Sequence, residues 1–113
     1  MSDKMISGDD LPIDQGLGLW SEGIVDQHFV ARNRFNRSLK TIMNFPEKLS
    51  VGIDESTAVV VDPSKRIATV IGKSSVTVTD VRHATVEGKG KGAERSWRNV
   101  RLQWLQAGMK FKF

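Results

Sequence analysis

The pattern of hydrophobic and polar positions is helical between residues 35 and 46 and strand-like from residue 48 onward. In the helical part, the apolar side chains recur at intervals of four, three and one residues: Phe35, Leu39, Ile42 and Met43. This spacing places them on one face of an α-helix. Pro46 cannot continue a helix, and Asn33 or Asn36 is suited to cap its start. The pattern therefore predicts one amphipathic helix that begins after Arg34.

A short apolar run precedes this helix and ends in polar residues. Ile24 and Val25 are consecutive apolar residues within 23–27, a pattern typical of a strand that is buried on both faces of a sheet. The apolar spacing in residues 1–8 fits the end of a helix that stops at Gly8, although so short a segment does not decide the matter.

Beyond Lys48, short runs rich in β-branched residues alternate with turn residues. The predicted strands are 50–53, 57–61, 66–71, 75–79 and 100–105, and 109–113 is suited to a final edge. Hairpin spacing predicts that the strands between 50 and 80 form an antiparallel meander. In 75–79, valine alternates with serine and threonine, so one face of that strand is expected to be dry and the other wet. The glycines and lysines of 82–96 predict a mobile surface loop.

Composition indicates one small soluble domain, or part of one. The 113 residues are 39% hydrophobic and 27% charged, and cysteine is absent, which excludes disulfides and thiolate metal sites. No apolar run approaches the roughly 20 residues that span a bilayer, and the N-terminus lacks the pattern of a signal peptide, so the cytoplasm is favoured. The net charge of +4 is concentrated after residue 80 near Trp97 and Trp104. A nucleic-acid surface is the alternative there, but the charges lie in a glycine-containing segment and are interpreted as solvated.

Polar residues around the end of the 23–27 strand form the candidate site. They are Asp9 or Asp10, Asp26, Gln27, His28, Arg32, Arg34, Arg37, Asp54 and Glu55. A histidine with an acid to orient it supplies two members of a nucleophilic triad. No serine lies in a G-x-S-x-G elbow. His28 and His83 are the only histidines, and Asp26 with His28 gives no established metal-ligand spacing. From the residues alone, a catalytic and a structural role for His28 stay equally open, and the arginines are either an anion site at a helix start or a solvated helix turn.

Four motifs in this chain occur together in one known family. They are Gly16-Leu17-Gly18-Leu19, Ile24-Val25-Asp26-Gln27-His28-Phe29, Arg32-Asn33-Arg34-Phe35-Asn36-Arg37 and Gly52-Ile53-Asp54-Glu55-Ser56-Thr57-Ala58. Their order and spacing closely resemble the C-terminal half of cyanophycinases, serine peptidases that are related to the aspartyl dipeptidases. The resemblance runs from about Met1 to Asp80. It implies the α/β fold class, as the C-terminal part of a class I amidotransferase-like α/β/α sandwich, with one main helix and a β-rich meander.

The resemblance also implies roles for individual residues. His28 corresponds to the general base. Asp26 and Gln27 would line the pocket, and the three arginines of the next motif would lie in or near the substrate cleft: Arg32, Arg34 and Arg37. The stretch that begins at Asp10 is similar to the Asp-Met-Pro-Ile stretch of aspartyl dipeptidases, where the aspartate orients the histidine; Asp9 is the rival for that role. No metal or other cofactor is implied.

The family's nucleophile lies in a Gly-x-Ser-Ala-Gly turn that is not found in this chain. Residues 1–113 are therefore expected to be the C-terminal fragment of one peptidase domain, with a histidine and arginine site segment (1–49) and a β-rich segment (50–113), inactive alone. A shortened gene product, a misplaced start and a separately encoded partner are equally compatible. The alternatives are a fragment of an aspartyl dipeptidase and a non-catalytic β-rich binding module.

The partners expected from this resemblance are a peptide substrate that contains aspartate and arginine, and an N-terminal half encoded elsewhere. A homodimer is a further assembly compatible with the chain. Neither nucleic acid nor a membrane is an expected partner.

Overall fold

Two four-stranded sheets and one α-helix form the larger part of the chain that the computed structural model describes, residues 4–7, 22–27 and 32–113. The side chains of 22–25 and 38–113 are described with them. The elements are β1 (Lys4–Ser7), β2 (Gly23–Gln27), α1 (Arg32–Asn44), β3 (Leu49–Ile53), β4 (Thr57–Asp62), β5 (Ile67–Gly72), β6 (Ser75–Asp80), β7 (Thr85–Glu87), β8 (Ser96–Arg98), β9 (Arg101–Gln106) and β10 (Lys110–Lys112). One helix with a β-rich meander is the mixed α/β content that the sequence predicted.

The first sheet has the strand order β2-β3-β6-β9. Strands β2 and β3 run parallel, with α1 as their connection, whereas β3–β6 and β6–β9 are antiparallel pairs. The strand predicted at 23–27 is confirmed as β2. Its Ile24 and Val25 are both buried, as expected for a strand that is covered on its two faces.

The second sheet has the order β1-β4-β5-β10. Its strand β1 corrects the idea that residues 1–8 contain the end of a helix. Lys4 to Ser7 pair antiparallel with Val61 to Ala58 of β4. Strand β4, which follows α1 and β3 in the chain, supplies the backbone hydrogen-bond partners of β1. The spacing of apolar residues within 1–8 cannot predict a pairing with so distant a segment.

The meander of residues 49–80 is divided between the two sheets. Strands β4 and β5 form a hairpin in one sheet, and β3 pairs with β6 in the other. The valines and isoleucines that face inward from both sheets form a single apolar cluster with side chains from β9, β10 and the C-terminus: Val25, Leu49, Val51, Ile53, Val59, Val61, Ala68, Val70, Val76, Val78, Leu105, Phe111 and Phe113. Burial of this cluster between two sheets is the main source of stability in the described residues.

The expectation of a wet face on β6 is wrong. All six residues of β6 are buried, including Thr77 and Thr79, which are 5% and 2% exposed. Strand β6 lies inside its sheet between β3 and β9, its valines face the apolar cluster, and α1 contacts the sheet at β2, β3 and β6. Alternation correctly separated the two faces, but it did not show that the polar face would be covered as well.

Helix α1 begins at Arg32, three residues earlier than the predicted start at Phe35, so Asn33 and Asn36 lie within its first two turns and neither precedes it as a cap. It ends at Asn44, ahead of Pro46 as expected. Ile42 is completely buried and packs with Ile24 and Val81. The described residues include no helix with the length and apolar character needed to cross a membrane.

A small hairpin occupies much of the segment predicted as a loop over 82–96. Strand β7 pairs antiparallel with β8, and a single 3₁₀ turn, Gly92–Glu94, lies between them. The Nε1–H of Trp97 donates to the carbonyl oxygen of Gly92 at 2.9 Å, and the indole packs against the Ile24, Ile42 and Val81 cluster. One aromatic anchor therefore orders a hairpin that has no apolar periodicity of its own. The predicted mobility of this segment stays a prediction.

The turn that follows β6 is held by Asp80. Its carboxylate accepts two side-chain hydrogen bonds from Arg82, both at 3.0 Å, and a third from the Arg82 backbone N–H at 2.8 Å. Burial opposes ionisation of Asp80, but the hydrogen bonds from Arg82 outweigh it, so the pKa of this carboxyl lies below its ordinary value.

Asp80→Asn is therefore expected to lower the free energy of unfolding at pH 7 by about 1–2 kcal/mol, because it removes charge-assisted hydrogen bonds from a buried group. A lowered pKa means that the carboxylate stabilises the fold above the unfolded pKa, about 4, and that this contribution is lost as pH falls through the folded pKa. Urea denaturation of both proteins from pH 7 to pH 3 should show their difference narrowing in acid. If the difference in free energy of unfolding between the two proteins stays the same from pH 7 to pH 3, the destabilisation does not depend on the charge of Asp80.

Candidate functional site

The carboxyl ends of β2 and β3 lie side by side. In their parallel register Asp26 is opposite Gly52 and Gln27 is opposite Ile53. Asp54, the next residue along the chain after β3, therefore lies at the same edge of the sheet as the end of β2. Loops at the carboxyl ends of neighbouring parallel strands are a common location for binding and catalytic groups in α/β proteins. The register thus brings together two polar segments that the whole of α1 separates in the sequence.

The start of α1 follows this edge directly. Only four residues separate the end of β2 from Arg32, and Arg34 and Arg37 lie in the first two turns of the helix. The first turn contains no acidic residue. Unpaired backbone N–H groups and the helix dipole favour an anion at such an end. The structure therefore places the backbone of all three arginines at one terminus.

Asp54 lies at the end of β3 and is partly buried. Its Oδ2 accepts a hydrogen bond from the Ser74 hydroxyl at 2.7 Å, and its backbone N–H donates to the Ser75 carbonyl oxygen at 3.3 Å. Its Oδ1 is buried and has no hydrogen-bond partner among the described residues. An unpaired buried carboxylate oxygen is costly in a structural role alone, which makes it a candidate acceptor for a ligand or a neighbouring group.

The structure describes the backbone of some of the residues that were predicted for the site, but not of all of them. Asp26 and Gln27 are the last two residues of β2, and the three arginines belong to α1. His28 and Asp10, together with its rival Asp9, lie outside the described residues. The roles assigned to all of them stay predictions.

Two serines are used for packing between the helix and the sheet. The hydroxyls of Ser38 in α1 and Ser50 in β3 are hydrogen-bonded to each other, and both residues are buried. Neither hydroxyl is presented at the surface as a nucleophile would be. Within the described ranges, no group of three or more His, Asp or Glu side chains is arranged to hold a metal ion.

The turn after β5 contributes residues that the sequence did not single out. Ser74 contacts Asp54, and Gly72 lies against the backbone of Ser56. Pairing of β4 with β5, and of β3 with β6, brings the 54–57 turn beside the 72–75 turn. No motif marks Ser74, because its importance depends on strand pairing and on a partner in a different turn.

Comparison with known proteins decides the relationship. No family model matches the chain. It is 41% identical over 99 residues to a cyanophycinase of Geminocystis herdmanii, an alignment that covers 85% of this chain and 36% of that relative. This chain is related to the cyanophycinases. A cyanophycinase of Trichormus variabilis is 38% identical over 99 residues, covering 85% of the chain and 33% of the relative.

A third cyanophycinase, from Thermosynechococcus vestitus, is 43% identical over 67 residues, which cover 59% of the chain and 20% of the relative. The resemblance to cyanophycinases inferred from the four motifs is thereby confirmed. The chain spans about a third of the length of the first two cyanophycinases that it matches.

Proposed function

We propose that this chain supplies the histidine and substrate-binding side of a cyanophycinase-like serine peptidase, which hydrolyses the β-aspartyl-arginine units of cyanophycin. The observation that carries the proposal is the parallel register of β2 and β3. It pairs Asp26 with Gly52 and Gln27 with Ile53, so the end of β2 lies beside the strand end that leads into Asp54 and Glu55, four residues before α1 and its arginines begin. The 41% identity to a cyanophycinase over most of the chain supports the same assignment.

The nucleophilic serine is proposed to come from a partner segment that corresponds to the N-terminal part of the cyanophycinases. His28 takes the proton of that serine hydroxyl while the oxygen attacks the scissile carbonyl carbon, and backbone N–H groups of the partner segment stabilise the oxyanion. His28 then donates the proton to the leaving amine. Water, activated by the same imidazole, hydrolyses the acyl-enzyme and restores the serine.

The substrate is a chain of carboxylates and guanidinium groups, and the site contains complements to both. Arg32, Arg34 and Arg37 at the start of α1 are proposed to hold substrate carboxylates through charge-assisted hydrogen bonds. Asp26 and Gln27 are proposed to line the pocket at the end of β2, where a carboxylate suits an arginine side chain. With substrate carboxylates bound at the start of α1 and the substrate guanidinium bound at the end of β2, the scissile bond would lie between these two elements.

Two acids at the end of β3 are added as alternatives to Asp10 for orienting the imidazole. Asp54 and Glu55 directly follow Ile53, which parallel pairing places beside Gln27 at the end of β2. Asp54 Oδ2 accepts a hydrogen bond from the Ser74 hydroxyl, and Glu55 is exposed in the same turn. We propose that one acid of this pair fixes the tautomer of His28 and stabilises its charged form.

Reconstitution tests the function. The chain is combined with the part of the Geminocystis herdmanii cyanophycinase outside the alignment, by co-expression or as one polypeptide. We expect the combination to hydrolyse β-aspartyl-arginine dipeptide, and the isolated chain to be inactive. Hydrolysis by the isolated chain would contradict the proposed division of the site. Cleavage restricted to dipeptides with an N-terminal, α-linked aspartate would assign the aspartyl dipeptidase class, and a stable complex that cleaves neither would favour a binding module.

Arg34→Ala in the reconstituted enzyme is expected to lower kcat/KM by about 10-fold or more, mostly through KM, because one charge-assisted contact to the substrate is lost. Lys40→Ala is the matched control, since it removes a positive charge from an exposed position on the same helix. Steady-state kinetics on the dipeptide compare the two variants. If both variants have a near-normal kcat/KM, Arg34 does not bind the substrate and belongs to a solvated helix turn.

A further inference from the structure

The connection between β7 and β8, residues 88–95, carries three exposed cations and is called the cationic loop below. The side chains of Lys89, Lys91 and Arg95 form no ion pair with any residue that the structure describes. A single exposed lysine is usually solvated and contributes little. Three cations in one short loop instead create a local positive field that attracts anions.

The acids closest to the cationic loop in the sequence already have hydrogen-bond donors. Glu87 at the end of β7 accepts a hydrogen bond from Arg98 Nε at 3.0 Å. Glu94 lies within the loop, and its Oε1 accepts a hydrogen bond from the backbone N–H of Lys91 at 3.0 Å. The loop therefore keeps a net charge of +2, and the partner that complements this charge is an anion.

Contacts with α1 and with Trp97 anchor the cationic loop. The Trp97 Nε1–H donates to the Gly92 carbonyl oxygen at 2.9 Å. Gly92 has a φ of 52°, and a Cβ at this position would collide with the side chain of Asn44, the last residue of α1. Glycine alone permits this approach. The cations thus extend from an anchored backbone, which reduces the conformational entropy that is lost when the loop binds a partner.

The chemistry of the cationic loop suits carboxylates better than nucleic acid. Proteins that bind single-stranded nucleic acid combine cations with exposed aromatic rings on which the bases stack. Residues 88–95 contain no aromatic residue. The adjacent Trp97 is partly buried, and its indole packs against the cluster of Ile24, Ile42 and Val81. Charge is therefore the property that this loop offers to a ligand.

The cationic loop and the three arginines lie at opposite ends of α1. The loop contacts Asn44, the last residue of the helix, whereas Arg32 is the first. A helix of 13 residues has its ends about 18 Å apart. An extended chain rises by about 3.3–3.6 Å per residue, so about five or six residues cover this distance. A polymer can therefore contact both ends of α1, and a dipeptide cannot.

We propose that the cationic loop is a second docking site for the substrate polymer, separate from the site at which a bond is cleaved. The proposal rests on the proposed function only for the identity of the polymer. Each arginine of a β-aspartyl-arginine polymer keeps a free α-carboxylate, which Lys89, Lys91 and Arg95 bind by charge-assisted hydrogen bonds. The guanidinium group, at the end of a longer arm, extends into solvent. Each contact is weak, but several on one polymer raise the local concentration of scissile units.

Binding of an oligomer to the full chain tests the docking site without catalysis. The labelled probe contains about ten β-aspartyl-arginine units, enough to reach from one end of α1 to the other. The loop variant replaces all three loop cations by glutamine: Lys89→Gln, Lys91→Gln and Arg95→Gln. Fluorescence anisotropy at about 50 mM salt should show an affinity about 10-fold lower than that of the unmodified chain, because the positive field is lost.

The control variant removes the same number of exposed cations from other turns and strands: Lys65→Gln, Lys110→Gln and Lys112→Gln. Its affinity should differ from that of the unmodified chain by less than about 2-fold. An oligomer whose α-carboxylates are amidated is the matched ligand control. It should bind the unmodified chain as weakly as the free-carboxylate oligomer binds the loop variant, since carboxylates are the groups that the loop recognises.

The outcomes distinguish the docking site from the proposed function. In the reconstituted enzyme, the loop variant should raise KM for the oligomer by about 10-fold and leave kcat and KM for the dipeptide unchanged. Equal oligomer affinity of the loop variant and the unmodified chain would overturn the docking site, even if the dipeptide is cleaved. Tighter binding of a single-stranded oligonucleotide than of the oligomer would also overturn it, in favour of a nucleic-acid surface. Binding that depends on the loop, in a reconstituted enzyme that cleaves neither substrate, would retain the docking site and reject the proposed function.

Discussion

Replacing His28 by alanine in the reconstituted enzyme is expected to lower kcat by about 10⁴-fold or more, with KM changed much less. The imidazole is proposed to transfer the proton in both halves of the reaction, and a methyl group cannot replace it in either. Residual rate would come from substrate binding and the oxyanion site. Stopped and continuous assays on β-aspartyl-arginine dipeptide measure the loss.

His83→Ala is the matched control for that experiment. His83 is exposed in the connection between β6 and β7 and follows the Asp80–Arg82 turn. It should leave kcat and KM at their original values. A His28 variant that retained a tenth of the activity would remove the general-base role, and a comparable loss in His83→Ala would point to a general effect on folding.

Replacing Ile42 by alanine is expected to lower the free energy of unfolding by about 2–5 kcal/mol. Ile42 is 0% exposed, and among the described side chains of α1 it is the fully buried apolar one, packed with Ile24 of β2 and Val81 of the β6–β7 connection. The deletion leaves a cavity that the packed side chains around it, Ile24, Val81 and Trp97 among them, fill only in part. Because α1 also carries the three arginines, the reconstituted enzyme should lose substrate affinity together with stability.

Phe45→Ala is the control: it removes more side-chain volume than Ile42→Ala but is expected to lower the free energy of unfolding less. Phe45 lies just beyond the end of α1 and is 43% exposed. Its truncation should cost less than about 1 kcal/mol, since little apolar surface returns to water. Urea denaturation followed by circular dichroism compares the two variants. Equal losses would show that α1 is not anchored through the Ile42 side chain.

Sequence pattern predicted most of the individual elements. The period of Leu39 and Ile42 identified α1, and the β-branched runs identified β3 to β6 with only small differences at their ends. These elements are visible because burial on one face imposes its own spacing on the chain. The four motifs also disclosed the relationship to cyanophycinases before any strand was paired.

Errors arose wherever a distant partner decided the outcome. Strand β1 depends on β4, and the buried threonines of β6 depend on the cover that α1 and the neighbouring strands provide. The β7–β8 hairpin depends on Trp97 reaching the helix cluster. None of these contacts can be predicted from the residues that are adjacent in the sequence.

By itself, the sequence determined the helix, the strands of the meander and the relationship to cyanophycinases, and the polar set around His28 stays its prediction. The tertiary structure alone decided that the meander is divided between two sheets and that β2 and β3 run in a parallel register. It also decided that Ser74 meets Asp54. Periodicity is local and can be seen in the sequence, whereas register and side-chain contact arise from pairing between segments far apart along the chain, which only folding brings into contact.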